Sequence, residues 1–466
     1  MAYKPCGLKA GCFMGRITDL FKKTSLALSA RKNDWVDQTT LPNGLQIASQ
    51  HRFLDKKLRF EIVINAGSYE DPAGKDGLAH HAEHLLLSPE KFDLIKKLGG
   101  FINARTSSSY MSVLGNIDDT PENVKILAKM LSNILQGKMD RSDFEQQKEA
   151  ILNEWGMYED DAGYIHRRLL RKIFKDERST FHSLGFEDTI EALSFEDLET
   201  FKSAWFMAPN IKIGITGENH KILHDLLAKN LSGMLQGPTP QNRNPEFIPT
   251  DYRENNGRAK QLYFGFHFPV PPLDKKQMAV ANIANHYLAN LVHKRLRDEL
   301  GVVYDATSLS FLEYKKQGFV SIIGSIRPKK GDIITPEIVS ILSSASVMID
   351  DDEFMIAKKY FLDELSDQAY PIPFMPRSAG SLAFDMHNLG HVMPLGKEIE
   401  LYESVTSEDV RAFIAGVIAQ APAITAYGDH SKLHSYDDFV AMLRDPDHVP
   451  DAAPELASPS KPEPHH

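Results

Sequence analysis

An α+β fold of two tandem, homologous α/β sandwich domains is what this sequence predicts, on three observations. The first is an internal repeat: Leu193 to Phe201 (LSFEDLETF) recurs as Val405 to Phe413 (VTSEDVRAF), 212 residues later. Ser194 with Asp197, and Thr406 with Asp409, carry the hydroxyl-plus-acid signature of a helix start. Each copy then reaches an apolar strand closed by a turn, Ile211 to Gly217 and Ala423 to Gly428. A unit that recurs at this separation implies two domains of similar fold. The second observation is the stretch Gln236 to Pro245, whose Pro and polar residues prevent regular structure and mark a boundary. The third is that apolar strands alternate with long amphipathic helices in each half, as expected for helices packed on one antiparallel or mixed sheet. The predicted organisation is a basic N-terminal extension over 1–34, a first domain over 35–236, a linker over 237–249, a second domain over 250–435, and a tail over 436–466. That tail reads as largely disordered, being rich in Pro, Ala, Ser and Glu after Asp445.

A chain of 466 residues can bury two cores. With 53 basic and 63 acidic side chains the net charge is −10, so the basic footprint of a nucleic-acid partner is absent. No apolar run reaches membrane-spanning length. Cys6 and Cys12 are the two cysteines; they support no disulfide framework and, without a nearby His pair, make a poor metal site. Seven basic residues stand against Asp19 and Asp34 in the first 34, which reads as an organellar presequence or an interaction arm. The stretch Thr24 to Ala30 is short and polar for an export signal, and a cytoplasmic location is expected.

The chemistry begins at His80-His81-Ala82-Glu83-His84. In a helix His80 and His84 lie one turn apart and point the same way. At about 100° per residue, Leu78, Ala82 and Leu85 form one stripe, and His80, Glu83, His84 and Leu87 occupy the opposite side. Two imidazoles and one carboxylate then face a common point, the arrangement that a catalytic zinc with an open water position needs. A histidine-rich helix surface is the other reading of the same residues. His81 lies off that face and is expected to make no metal contact.

In this inverted order the intervening Glu is reserved for water activation, so a further carboxylate must come from elsewhere. The candidate helix runs from Ser142 to Glu159 and opens on a Ser142-x-x-Glu145 capping box. Glu149 has polar neighbours at helical spacing, as on a solvated face. Glu154 is flanked by Ala150, Ile151, Met157 and Tyr158, where a carboxylate is costly without a cation or donor, so it is the better ligand candidate. A buried Glu bonded to an Arg remains the alternative.

At this point the residues resemble a family, the pitrilysin, insulysin and mitochondrial processing peptidase group of zinc metallopeptidases, over roughly residues 38 to 432. Leu41 to Leu45 looks like its opening strand, Ala66 to His80 like the approach to its zinc helix, Leu98 to Thr106 like its substrate-binding strand, and Ala150 to Glu154 like the segment supplying its third ligand. The resemblance implies the LuxS/processing-peptidase-like metallohydrolase fold, one Zn2+ per chain held by His80, His84 and Glu154, and Glu83 as general base. It places Gln147, where many members have Glu, behind the metal ligands. It gives Asn103, Ala104 and Arg105 to substrate binding, and Arg297 with Tyr304, seven residues on, to the scissile bond of another half of the enzyme. From spacing alone, Arg295 to Gly301 reads as a helix with basic residues on its face, ending at a glycine. In the second half His387-x-x-x-His391 is helically spaced without an acid between, a weak metal signal. The function implied is a zinc endopeptidase that cleaves unfolded peptides, leaders or presequences in a chamber formed by paired chains. A homodimer or a heterodimer with a homologous subunit fits a chain of two domains; the alternative is a non-catalytic or weakly active partner subunit of a processing peptidase.

Overall fold

A computed structural model describes residues 35–52, 56–158, 162–175, 183–237, 246–311, 316–369 and 378–445. The N-terminal extension with Cys6 and Cys12, linker residues 238–245 and the tail after Asp445 lie outside the described residues.

The first half opens with a hairpin of β1 (Val36–Thr40) and β2 (Gln46–His51). Leu41 to Leu45, expected as a strand, is the turn between them. Pro42 and Asn43 favour a turn, Gly44 takes φ 90°, and Leu41 N donates to Leu45 O at 2.8 Å. β3 (Lys57–Ile64) leads to a short helix α1 (Leu78–His84) and then to α2 (Pro89–Lys97). β4 (Phe101–Thr106) and β5 (Met111–Asp118) form a second hairpin. Helices α3 (Pro121–Gln136), α4 (Arg141–Tyr158), α5 (Ala162–Leu170), α6 (Glu187–Ala192) and α7 (Phe195–Trp205) follow. β6 (Ile211–Gly217) and α8 (His220–Asn230) close the half. The sheet order is β1-β2-β6-β3-β5-β4, mixed because β2 and β6 run parallel, with β4 on one edge.

The second half repeats the plan. β7 (Asp251–Glu254), β8 (Leu262–Val270), α9 (Lys275–His293), β9 (Val303–Phe311) and β10 (Gly318–Ile326) precede α10 (Gly331–Val347) and α11 (Asp351–Ala369). Then come α12 (Ala379–Leu389), α13 (Leu395–Ser404), α14 (Ser407–Ile418), β11 (Ala423–Tyr427) and α15 (Tyr436–Arg444). The strand order is β7-β11-β8-β10-β9. The repeated motif starts α7 and α14, with Ser194 and Thr406 as caps whose oxygens accept from the Asp197 and Asp409 amides. Each cap is approached by a lysine of the long helix before it: Lys148 donates to Leu193 O at 2.9 Å and Lys358 to Val405 O at 2.7 Å.

Each sheet buries one face under its own helices. Phe60, Ile62, Val113 and Ile215 meet α1, α3, α7 and α8 in the first core; Phe264, Phe266, Phe268 and Ile322 meet α9, α10, α14 and α15 in the second. The opposite faces are covered reciprocally. Helix α12, from the second half, crosses β2, β3 and β6, with Leu382 and Met386 packed on Ala48. Helix α5, from the first half, crosses β8 and β11, and Leu170, Ile173 and Phe174 pack with Phe319 and Ala423.

Two expected boundaries move. The tail does not begin at 436, because Ser435 and Asp438 cap α15 and its Phe439 and Met442 are buried in the second core. Helix α4 begins at Arg141, and Asp140 rather than the Ser142-Glu145 pair caps it, its carboxylate accepting the Ser142 amide at 2.7 Å. No single described helix is long and apolar enough to cross a membrane.

Candidate metal centre

Helix α1 has seven residues, too few to hold together on propensity, so its surroundings must fix it. Gly77 precedes it at φ 93°, and a side chain there would meet Leu184 O at 2.6 Å. The Asp71 carboxylate, fully buried, accepts the amides of Gly77 and Ala79, each at 2.8 Å, and so satisfies two donors at the helix start. His81 anchors the far side. Its ring stacks on Phe144 of α4 at 4.4 Å and 5°, with Nε2 3.1 Å from Phe144 O. Burial, against the Phe144 hydrogen bond, brings its pKa down to about 4, which keeps it neutral. It faces α4 and not the cluster, as the helical geometry predicts.

His80 and His84 are thereby presented together, ring centroids 4.6 Å apart at 76°. Glu154 arrives from α4, its Oε2 3.6 Å from His84 Nε2. Among the described residues these three are the one set of possible metal ligands whose donor atoms lie within 4.8 Å of one another. Glu154 is half-buried; Ala150 is exposed, so the apolar stripe around it is thinner than its sequence suggests, and it meets histidines rather than an arginine. The His84 hydrogen bond holds its carboxyl below the ordinary range against burial. On the other side of His84, Nδ1 lies 3.0 Å from Gln147 Oε1, which directs Nε2 toward Glu154. His84 is pulled down by burial, but its bonds to Glu154 and Gln147 outweigh this and its pKa rises.

Glu83 lies inside the cluster, Oε2 3.7 Å from His80 Nε2, and accepts the Thr106 hydroxyl at 3.3 Å. Burial pushes its pKa up to about 7, although His84 and Thr106 oppose the shift. The donor set suits zinc: two imidazole nitrogens and a carboxylate oxygen, with the 3.6 Å from His84 Nε2 to Glu154 Oε2 near the roughly 3.4 Å between two ligands that are about 2.0–2.1 Å from a tetrahedral ion. A base stands beside them.

Thr106 ends β4, and its contact joins the cluster to the sheet edge. β4 pairs with β5 and with no other strand among the described residues, so the backbone of Asn103, Ala104 and Arg105 runs along an open edge. Arg297 and Tyr304 lie in the second half. Arg297 is in a π-helical turn, Lys294–Glu299, that prolongs α9 to Gly301, and Tyr304 is in β9, the edge strand of the other sheet; the Tyr304 side chain lies outside the described residues. One chain therefore gathers His80, Glu83, His84, Gln147 and Glu154. The weak His387/His391 signal dissolves: Gly390, at φ 78°, ends α12 between them. Sequence reasoning missed Thr106 and Asp71. Strand alternation, which sends Thr106 to the face opposite Arg105, is the signal that could have found it, whereas Asp71 acts across an irregular loop and leaves no periodic trace.

Comparison with known proteins gives the following. Residues 46–184 match the family model described as Insulinase (Peptidase family M16), and residues 192–360 match Peptidase M16 inactive domain. An uncharacterized zinc protease of Streptomyces coelicolor is 27% identical over 219 residues, 44% of this chain and 47% of that protein. The mitochondrial-processing peptidase subunit beta of Neurospora crassa is 26% identical over 241 residues, 46% of this chain and 48% of that protein. These matches span about half the length of the two relatives. A protease from Helicobacter pylori of known structure shares the fold, with TM-score 0.74 at 18% identity over 84% of this chain and 99% of that one.

Proposed function

We propose, from the premise that this chain belongs to the M16 peptidase family, that it is a zinc-dependent endopeptidase acting on extended peptides such as leaders or presequences. The observation that carries the reading is the convergence of His80, His84 and Glu154 around Glu83, beside an open strand edge.

His80 and His84, with Glu154, would hold the ion, and Gln147 would keep His84 in the tautomer that offers Nε2. Zinc bound there supplies a water whose pKa falls toward about 7 and polarises the peptide carbonyl. The residues of the chain do the rest. Glu83 takes the proton of the attacking water and returns it to the departing amine, while Thr106 holds its carboxylate in place. A peptide adding to the edge of β4 pairs through main-chain bonds with Asn103 to Arg105 and is led toward Glu83. A stably folded domain cannot offer such a strand and would be spared.

The working unit in this reading is a dimer, of two copies or with a homologous subunit, in which Arg297 and Tyr304 of one chain complete the site of the other. It is supported by the place of Tyr304 in the second sheet's edge strand, with Arg297 in the helical turn just before it, and by a relative that is itself named a subunit. The test joins metal content to turnover. Zinc-loaded protein should contain about one ion per chain; Glu154→Ala should lose it, and Glu83→Gln should keep it yet cut no peptide. Mixing inactive Glu83→Gln with inactive Tyr304→Phe should restore activity after subunit exchange. Metal-free wild-type protein would instead favour a non-catalytic partner subunit, and full zinc in Glu154→Ala would remove that ligand from the set.

A further inference from the structure

The outer face of β4 carries a side-chain cluster for which the chemistry above has no use. Ile102 points into the first core and Thr106 toward Glu83, so alternation sends Phe101, Asn103 and Arg105 to the face that α12 covers. There Arg105 Nε donates to Ser112 Oγ at 2.9 Å, and Nη2 donates to Glu61 Oε1 at 2.7 Å. Phe384 of α12 stands beside the guanidinium, its ring centroid 5.8 Å away, and Tyr110 packs edge-on against Phe384 at 4.8 Å. His387 follows at 6.2 Å from Tyr110. The Glu61 side chain is 10% exposed, whereas that of Arg105 is 50% exposed. The carboxylate is therefore sealed beneath the arginine, and the arginine faces out. A guanidinium has five N–H donors. Two are used here, and the Nη1 pair has no partner among the described residues.

We propose that Arg105 is a specificity-determining residue, selecting peptides that carry Asp or Glu directly opposite it on the strand added to β4. The inference rests on the peptidase reading and names its substrate class. Directly opposed residues of neighbouring strands share a face with Cβ atoms about 4.5–5.5 Å apart, so that one peptide side chain must meet Arg105. A carboxylate there accepts from a free Nη1 N–H, with the Phe384 and Tyr110 rings limiting water on one side. A lysine or arginine would set a second cation against the guanidinium, and Glu61 is too covered to compensate it. Because Thr106, the next residue of β4, reaches Glu83, the selected side chain belongs to a residue within about two of the cleaved bond.

The test uses unstructured Ala/Ser-based dodecapeptides carrying one Glu, Gln or Lys at scanned positions. They are cut by zinc-loaded wild-type protein and, separately, bound to Glu83→Gln and read by fluorescence anisotropy. At one position Glu should exceed Gln by roughly tenfold in kcat/KM, the worth of one hydrogen bond to a charged group, mostly through KM, and Lys should be poorest. Arg105→Met should erase the Glu/Gln ratio, Arg105→Lys should keep part of it, and Glu61→Gln, which frees the guanidinium, should widen it. Equal rates for Glu and Gln peptides, or a ratio that persists in Arg105→Met, would overturn the proposal. Should no peptide be cut while binding still shows the Arg105-dependent preference, the peptidase reading fails and the subsite stands. Neither cleavage nor preferential binding overturns the subsite as well.

Discussion

Adding one methyl group at Gly214 should separate the two halves of the molecule. Gly214 lies in β6, paired with Ala48 of β2 on one side and Glu61 of β3 on the other, so its strand is held from both flanks. A Cβ there would lie 1.9 Å from Ala379 O and 2.9 Å from Ala383 N, both backbone atoms of α12. Contacts under 3.0 Å are essentially never made by real Cβ atoms, so the Ala379 carbonyl must retreat by at least 3.0 − 1.9 = 1.1 Å. No side chain can rotate to absorb this, and the strand cannot yield without breaking two ladders. Gly214→Ala should therefore cost at least the about 1–3 kcal/mol typical of overpacking, concentrated where α12 meets the first sheet. Urea unfolding gives the total. Amide hydrogen exchange locates it: protection should fall across Ala379–Leu389, with little change in α10 or α15. Gly233→Ala is the control, being exposed with nothing within 4 Å of its added carbon. An unchanged urea midpoint together with unchanged exchange in α12 would refute the close approach.

Three further outcomes are expected. Gly416 lies inside α14 with open space around it, so Gly416→Ala should stabilise by about 0.5–1 kcal/mol, measured by urea unfolding. Asp71→Ala leaves two buried amides of the α1 start unpaired and should cost at least about 2 kcal/mol; it should also weaken zinc binding by loosening His80, and a normal zinc affinity would contradict that role. His267, in the centre of the second sheet, bridges Ser321 Oγ at 2.7 Å and Thr425 Oγ1 at 2.9 Å, and burial, helped by the nearby His166, brings its pKa from 6.5 down to about 3. Its folded pKa is below its unfolded one, so its contribution is full above about pH 6.5, shrinks as pH falls, and is lost by about pH 3; between pH 8 and pH 5 the loss is about 2 kcal/mol. His267→Gln should lose correspondingly less stability over that interval, and an equal loss in both proteins would refute the assignment.

What the sequence made legible is what acts locally. The two caps, Ser194 and Thr406, were readable because cap and acid are three residues apart. The spacing of His80, Glu83 and His84 was readable because one helical turn sets it, and Glu154 because a carboxylate beside Ile151 asks for a cation. The choice between Asp140 and Ser142 as the cap of α4 was not. Both residue types cap well, and burial of Phe144 against Phe195 and His81, a tertiary fact, sets where the helix starts. Helix α15 had a readable signal in Ser435, Asp438, Phe439 and Met442, but a boundary weighted on tail composition passes over it.

The reciprocal placement of α5 and α12 explains why a half that holds none of His80, Glu83, His84 and Glu154 bears on the site at all. A mixed sheet with one bare face would expose residues such as Ala48 and the Glu61 carboxylate, so each half needs a cover on the face that its core helices leave bare. Supplying that cover from the opposite half makes the two units interdependent. It also puts Phe384 and His387 of the second half beside the edge strand of the first, close to Arg105 and Tyr110. The first half then contributes the helices that carry His80, His84 and Glu154 and the strand edge, and the second builds the wall along one side of that edge. Substitutions in α12, far in sequence from His80, should on this account alter peptide selection before they alter metal binding, since α1 is fixed by Asp71 and α4 and not by α12.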